Sequence, residues 1–311
     1  MENKSSLKVL KGTLILVLAA LLWGLAFVAQ TKAADVILPF TFNASRSFLG
    51  ALTLITYIKI RDKISEQKSS DKSSDKPSDK SSKQRLLRSG IICGALLFIA
   101  INFQQFGIAL YPDGVPASGR AGFITAMYIV FVALYTIIKS RKFSIIVIGS
   151  TILSMVGLYF LCFTNGLSGF YLGDVLGLLC AITFTFHILV IDKYNDVDSA
   201  KLSFMQFAVC GVLSLLFAIV FEDNTWRDLL AAAIPILYAG ILSSGIGYTL
   251  QIAGQKLAPP NIAAIAMSLE SVFSVVFGVL ILGEAFTSRE IIGCVLMFSA
   301  VIIAQLKQDK N

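Results

Sequence analysis

Glu270 stands near the middle of "AMSLESVFSVVFG", a run of apolar and small residues from Ala266 to Gly278. A carboxyl group in such a setting can bind a cationic solute, carry a proton, or hold neighbouring helices through a hydrogen bond. His187, the single histidine, lies in a second apolar run, "LGLLCAITFTFHILVIDKY". Its imidazole can carry a proton near neutrality or bond an adjacent helix. Arg46, in "PFTFNASRSFLGAL", offers a guanidinium suited to carboxylate or phosphate, and Arg120 has the same chemistry closer to a segment end; both can instead snorkel to the interface.

Other polar groups recur at helical spacing. Asn102 and Gln105 precede Ala109, and Ser244, Tyr248, Gln251 and Gln255 follow one another along a later segment. Met267, Ser271, Ser274 and Phe277 share a face around Glu270, while Trp23 and Phe27, one turn apart, form an aromatic wall. The candidate solute cavity or coupling set is therefore Glu270, His187, Trp23, Arg46, Asn102, Gln105, Tyr248, Gln251 and Ser274. No catalytic residue, metal site or cofactor is expected. Cys93, Cys162, Cys180, Cys210 and Cys294 lie in apolar segments without paired ligand spacing and read as small packing residues.

Such groups need an apolar frame, and the composition supplies one: 56% of the 311 residues are hydrophobic and 14% charged. Crossing a hydrocarbon layer roughly 30 Å thick takes about 20 apolar helical residues. Ten segments qualify, at roughly 12–31, 38–59, 89–111, 117–138, 143–163, 173–192, 202–221, 230–254, 259–283 and 288–306. Their length and lack of strict alternation favour helices over barrel strands. The expected fold is all-α and integral to the membrane, with ten transmembrane helices. With the N-terminus inside, 21 of the 26 Lys and Arg residues fall in cytoplasmic connections, so both termini are expected to be cytoplasmic.

The net charge of +7 follows from that topology, and no basic soluble domain is present to bind nucleic acid. The basic start followed by an apolar run is read as a retained first span rather than a cleaved signal. One connection is long. "SEQKSSDKSSDKPSDKSSKQ" at 65–84 repeats a Ser-Asp-Lys unit and is expected to be a disordered cytoplasmic loop spanning about 62–86.

With that loop set aside, the chain repeats. "GTLILVLAALLWGLAFVAQTK" from Gly12 matches "GDVLGLLCAITFTFHILVIDK" from Gly173, each reaching an aromatic residue eleven positions on; Gln105 is matched with Gln251. The repeats are 12–163 and 173–306, of five spans each. An odd number inverts the second copy in the membrane, an architecture of secondary transporters.

The stretches "LLWGLAFV", "PFTFNASRSFLGAL", "GRAGFITAMYIVFVAL" and "GYTLQIAGQKLAPPNIAAIAMSLESVFSVVFGVLILGEAFTSREIIG" resemble, in order and spacing, the ten-helix EamA-type branch of the drug/metabolite transporter superfamily. The resemblance covers the chain apart from 65–84. It implies that the first, third, fourth, sixth, eighth and ninth helices line a cavity, in a bacterial plasma membrane protein handling amino acids or other metabolites. One departure is the Ser271 after Glu270, where the family usually carries the proline that would encourage a kink.

The expected activity is secondary transport or facilitation of a small organic solute, outward, by alternating access, with protons as the coupling ion at Glu270 and His187. A single chain holds both halves, so a monomer is expected. An intramembrane enzyme acting on a lipid or isoprenoid is the alternative, set against the scarcity of deep acids and histidines. A channel would need a charged ring or filter loop, and none is visible. Elsewhere, Thr287 with Glu290 reads as a capping box behind Glu284.

Overall fold

The computed structural model describes residues 2–68, 80–112, 117–140, 144–162, 171–277, 280–281 and 288–306, and every regular element among them is helical. The elements are α1 Glu2–Ala34, α2 Pro39–Lys68, α3 Lys80–Ala109, α4 Ala117–Thr125, α5 Tyr128–Ser140, α6 Ile145–Cys162, α7 Leu172–Lys193 and α8 Ser199–Phe221. The chain continues through α9 Trp226–Ala231, α10 Ala233–Leu237, a π-helical stretch Tyr238–Gly247, α11 Tyr248–Gln255, α12 Pro260–Met267, α13 Glu270–Phe277 and α14 Ser288–Leu306.

Among the described residues six stretches are long and apolar enough to cross a membrane: Ser6–Ala34, Ser81–Ala109, Leu172–Lys193, Ser199–Phe221, Ala233–Gln255 and Pro260–Phe277. Shorter apolar helices lie at Tyr128–Lys139, Ile145–Phe160 and Ile291–Ala304. α2 is outside both groups. Asn43, Arg46 and Ser47, which lower its hydropathy, are all buried. Polarity is thus turned inward: Arg46 is 2% exposed, whereas Ile219 and Ile234 on outer faces are 71% and 81% exposed. That distribution suits a lipid surround, where a charged group finds partners only inside the bundle.

The long loop is shorter than its composition implied. α2 runs to Lys68 and α3 starts at Lys80, so both flanks of the 62–86 stretch are helical. Lys, Gln, Glu and Arg are good helix formers once an adjoining apolar helix has provided the nucleus. Residues 69–79, Glu284 and Thr287, and the side chain of Arg120, lie outside the described residues.

Two helices break in mid-span. Between α4 and α5, Ala126 and Met127 form a tight turn in which Met127 N–H donates to Ile124 O at 3.1 Å and Ile129 N–H to Ala126 O at 3.1 Å. Between α12 and α13, Leu269 N–H donates to Ala266 O at 3.4 Å and Ser271 N–H to Ser268 O at 3.1 Å. Both breaks replace the i→i−4 ladder with i→i−3 bonds. No proline is needed for the second. The Ser268 hydroxyl donates to Ile265 O at 2.8 Å, a local bond that competes with helix continuation.

Packing follows a matched pattern. α2 lies against α8, and α6 against α14. α3 packs on α7 and α8, while the stretch from Tyr238 to Gln255 packs on α1 and α2. The broken helices cross, α12 with α5 and α13 with α4, beside α7 on one side and α1 on the other. Glycine permits the closest approach. A Cβ on Gly24 would lie 2.4 Å from Phe273 Cβ, so α1 can seat against α13 only because that position is bare.

The α2–α8 pair is fastened at both ends. At one, Glu222 accepts from the amides of Phe40 and Thr41 and from the Thr41 hydroxyl, each at 2.7 Å, and so caps α2 from another part of the chain. At the other, Arg61 pairs with Asp198 at 2.9 Å, while Arg85 of α3 pairs with Asp196, between α7 and α8, at 2.7 Å.

Candidate functional site

The two breaks bring Tyr128 and Glu270, each the first residue of a second half-helix, to one place. The Tyr128 hydroxyl donates to Glu270 Oε1 at 3.3 Å, with both residues buried. They share the wall of a central cavity of about 40 Å³, room for a few water molecules. Of its lining residues only Trp23 and Phe184 are part-exposed, and the others are buried.

α1 contributes Trp23, Ala26, Phe27 and Gln30, the spacing of one helix face. Arg46 enters from α2, Gln104 from α3, Thr125 and Tyr128 from the α4–α5 break, and Phe184 and Ile188 from α7. Ser243, Tyr248 and Gln251 complete the far side with Met267 and Glu270. The Trp23 and Tyr248 rings tilt against each other with centroids 4.8 Å apart, and Gly247 leaves the space that the indole fills.

Arg46 and Glu270 are the two ionisable groups of opposite sign on this wall. Among the described residues no ion pair within 4.0 Å joins them. The Arg46 guanidinium instead lies 5.5 Å from the centre of the Phe42 ring, and its Nε has no hydrogen-bond partner. Gln251 Oε1, Gln30 Oε1 and Trp23 Nε1 are also buried without partners. A narrow cavity with unmatched donors and acceptors on its wall is suited to holding a polar solute. Among the described residues no group of three His, Cys, Asp or Glu side chains could hold a metal ion.

Five of the nine candidate residues read from the sequence meet here: Glu270, Trp23, Arg46, Tyr248 and Gln251. Four do not line the cavity. His187 is fully buried behind the wall, its Nε2 3.0 Å from Gln206 Oε1 and its ring edge-on to Tyr248. Phe184 and Ile188, one turn apart, face the cavity, and His187 points to α8 instead. Asn102 bonds Asn43 at 2.9 Å and Phe98 O at 2.7 Å, tying α3 to α2. Gln105 donates to Gln30 O at 3.2 Å, and the Ser274 hydroxyl returns to Ser271 O at 2.8 Å.

Gln104, rather than Gln105, shares the wall with Gln251. Close glycine contacts agree: Gly107 meets Gly173 and Gly254 meets Gly12, each glycine three residues beyond its glutamine. In the later segment Ser243 replaces Ser244, because the π-helical stretch bonds Tyr248 N–H to Ser243 O, five residues back. Tyr128, Thr125 and Gln30 were missed altogether. Tyr128 had a signal, a lone phenol deep in "FITAMYIVFVAL", but no acid in its own segment marked it.

A helical bundle with outward apolar faces and a partly polar cavity between broken helices is that of a multi-pass membrane protein. The sequence pattern of the EamA-like transporter family matches residues 10–163 and 171–305, and the chain belongs to that family. An uncharacterized transporter of Archaeoglobus fulgidus is 30% identical over 298 residues, covering 94% of this chain and 85% of that protein. A crystal structure superposes with a TM-score of 0.75 at 19% identity, across 95% of this chain and 98% of that one, a likeness of fold.

Proposed function

We propose that this transporter moves small organic metabolites, amino acids or related compounds, outward across a bacterial plasma membrane by alternating access, with proton exchange at Glu270. The observation that carries the proposal is the buried Glu270 carboxyl facing a narrow, partly polar cavity at the meeting point of two broken helices. Helix breaks at membrane depth supply both a binding surface and a place to bend.

The ten-span reading, with inverted halves and both termini cytoplasmic, is supported by matched cavity partners. Trp23 and Phe184, Phe27 and Ile188, Gln104 and Gln251, Thr125 and Met267, and Tyr128 and Glu270 all line one cavity, and we read them as counterparts in two halves. A single chain then forms the whole path, and the working unit is a monomer.

The two matched seams differ in closure, which favours alternation. On one side α13 is seated tightly on α1 at Gly24. On the other, a wider cleft of about 640 Å³ opens between α5, α7 and Pro260, lined by Thr136, Lys139, Asp192 and Lys193 at the Lys-rich end. This conformer is therefore read as sealed outward, with a cytoplasmic mouth one to two turns from the cavity.

Flux in proteoliposomes with and without a pH gradient tests the proposal. Replacing Glu270 with Gln should abolish the response to the gradient. Unchanged gradient-driven flux in that variant would rule out Glu270 as the proton carrier.

A further inference from the structure

Helices α5 and α6 are neighbours in sequence but pack on different partners: α6 lies along α14, while α5 leans on α12 and α7. They diverge, and a cleft of about 530 Å³ lies between them. Val130, Leu134 and Ile137 form one wall, and Ile148, Ile152 and Val156 the other. The Thr151 hydroxyl, also on the lining, donates to Val147 O at 2.8 Å and so turns back into its own helix. From Ile148 to Tyr159 the cleft follows α6 for about 16 Å, at a rise of about 1.5 Å per residue. That is about half of a hydrocarbon layer roughly 30 Å thick, the reach of one acyl chain.

A cation stands at one end. Tyr159 is on the lining toward the end of α6, and the Arg289 guanidinium lies 5.2 Å from the centre of its ring and 5.3 Å from that of Phe160. Arg289 is part-exposed, its Nε has no hydrogen-bond partner, and among the described residues no acid pairs with it within 4.0 Å. A guanidinium in this state is suited to phosphate, which accepts two of its N–H groups at once.

We infer that the cleft is a phospholipid site: one acyl chain lies between α5 and α6, and the lipid phosphate bonds Arg289. A gap between helices forfeits dispersion contacts on both walls, and a chain of matching length recovers them. Hydrocarbon alone has little reason to prefer this cleft to the surrounding bilayer. The charge-assisted bond at Arg289 supplies the preference. Nothing in this depends on which solute the protein carries. α5 has this cleft on one face and the cleft of about 640 Å³ on the other, so a bound chain supports α5 in the position seen here.

The test is native mass spectrometry of the purified full chain in detergent, with dioleoylphosphatidylglycerol, its dihexanoyl form and dioleoylglycerol as probes. The first should bind as a single saturable copy, about tenfold or more tighter than the short-chain lipid or the lipid without phosphate. Ile152→Trp and Val156→Trp, each at an exposed position, fill the cleft and should erase the chain-length preference. Arg289→Gln should erase the preference over dioleoylglycerol, and Arg289→Lys should restore part of it. Ile219→Trp, exposed on α8, is the control and should change neither. Equal binding of the three lipids by the unaltered chain overturns the inference, as does a chain-length preference that survives both tryptophans. A dimer that retains no lipid and is lost in Ile152→Trp would assign the cleft to a second copy and overturn it too.

Discussion

The Tyr128 hydroxyl and the Glu270 carboxyl meet at 3.3 Å, joining the break between α4 and α5 to the break between α12 and α13. This bond crosses the boundary between the two halves at the cavity wall. A group that reports the state of one break is thereby linked to the other. Tyr128→Phe keeps the ring and removes only the donor. Hydrogen bonds to charged groups are worth about 1.5–3 kcal/mol, and this long one belongs at the lower end. Gradient-driven flux in proteoliposomes should fall about tenfold with melting behaviour retained. Full flux in the phenylalanine variant would make the bond a bystander.

Gly24 is the contact that allows α1 and α13 to seal. A methyl group there would lie 2.4 Å from Phe273 Cβ and 2.8 Å from the Phe273 carbonyl carbon, and backbone cannot yield as a flexible side chain does. Gly24→Ala should destabilise the protein by about 1–3 kcal/mol, the usual penalty for overpacking. Gly149 in α6 is the control, with nothing within 4 Å of a Cβ. Gly149→Ala should instead stabilise by about 0.5–1 kcal/mol through helix propensity. Thermal unfolding in detergent reads both. Equal effects at the two positions would mean that the α1–α13 seam is loose.

Glu222 caps the start of α2 although it belongs to the end of α8. Two amides and one hydroxyl depend on its carboxylate, each at 2.7 Å. Glu222→Ala should cost about 1–2 kcal/mol, in the range of a lost N-cap. Glu222→Gln, with one acceptor oxygen left, should fall between. A melting temperature unchanged by the alanine would show that water serves these donors equally well.

The frame was legible because a bilayer imposes it. Apolar runs of fixed length announced membrane helices, and Trp23 and Phe184, at equal distances from Gly12 and Gly173, both line the cavity. α2 was read as the apolar segment 38–59 even though Asn43, Arg46 and Ser47, all buried, lower its hydropathy. Glu270 was visible as a lone deep acid. Its partner was not, because the Tyr128 contact spans 142 positions and depends on two helix breaks without proline. His187 shows the limit of singularity as a signal. A unique residue type in a span drew attention, yet one position of helical rotation turned it toward Gln206.

Asp198 predicts an acid-dependent contribution at the Lys/Arg-rich end. Burial works against its charge, but the Lys201 amide and the Arg61 guanidinium outweigh that and hold its carboxyl below the ordinary value of 3.8. A carboxyl depressed on folding stabilises above its unfolded value, and that contribution is lost as pH falls through the lower folded value. The contribution is therefore complete at neutral pH and fades only below about pH 4. Melting temperatures of the unaltered chain and Asp198→Asn should differ near neutrality and converge on acidification. Because the pair is part-exposed, added salt should shrink the difference. A gap that widens in acid would contradict the assignment.

The π-helical stretch makes a prediction that an ordinary helix reverses. With Tyr248 N–H bonded to Ser243 O, Ser243 faces the cavity, whereas Ser244 turns toward Gly50, and its hydroxyl is buried without a partner. An uninterrupted α-helix would put Ser244, four residues before Tyr248, on the cavity face. Ser243→Val adds apolar bulk to a cavity of about 40 Å³ and should cut flux by about tenfold or more while the protein still folds. Ser244→Ala removes an unsatisfied buried hydroxyl and should leave flux intact, with stability equal or slightly raised. Flux lost at 244 and kept at 243 would return this segment to α-helical register and remove Ser243 from the solute path.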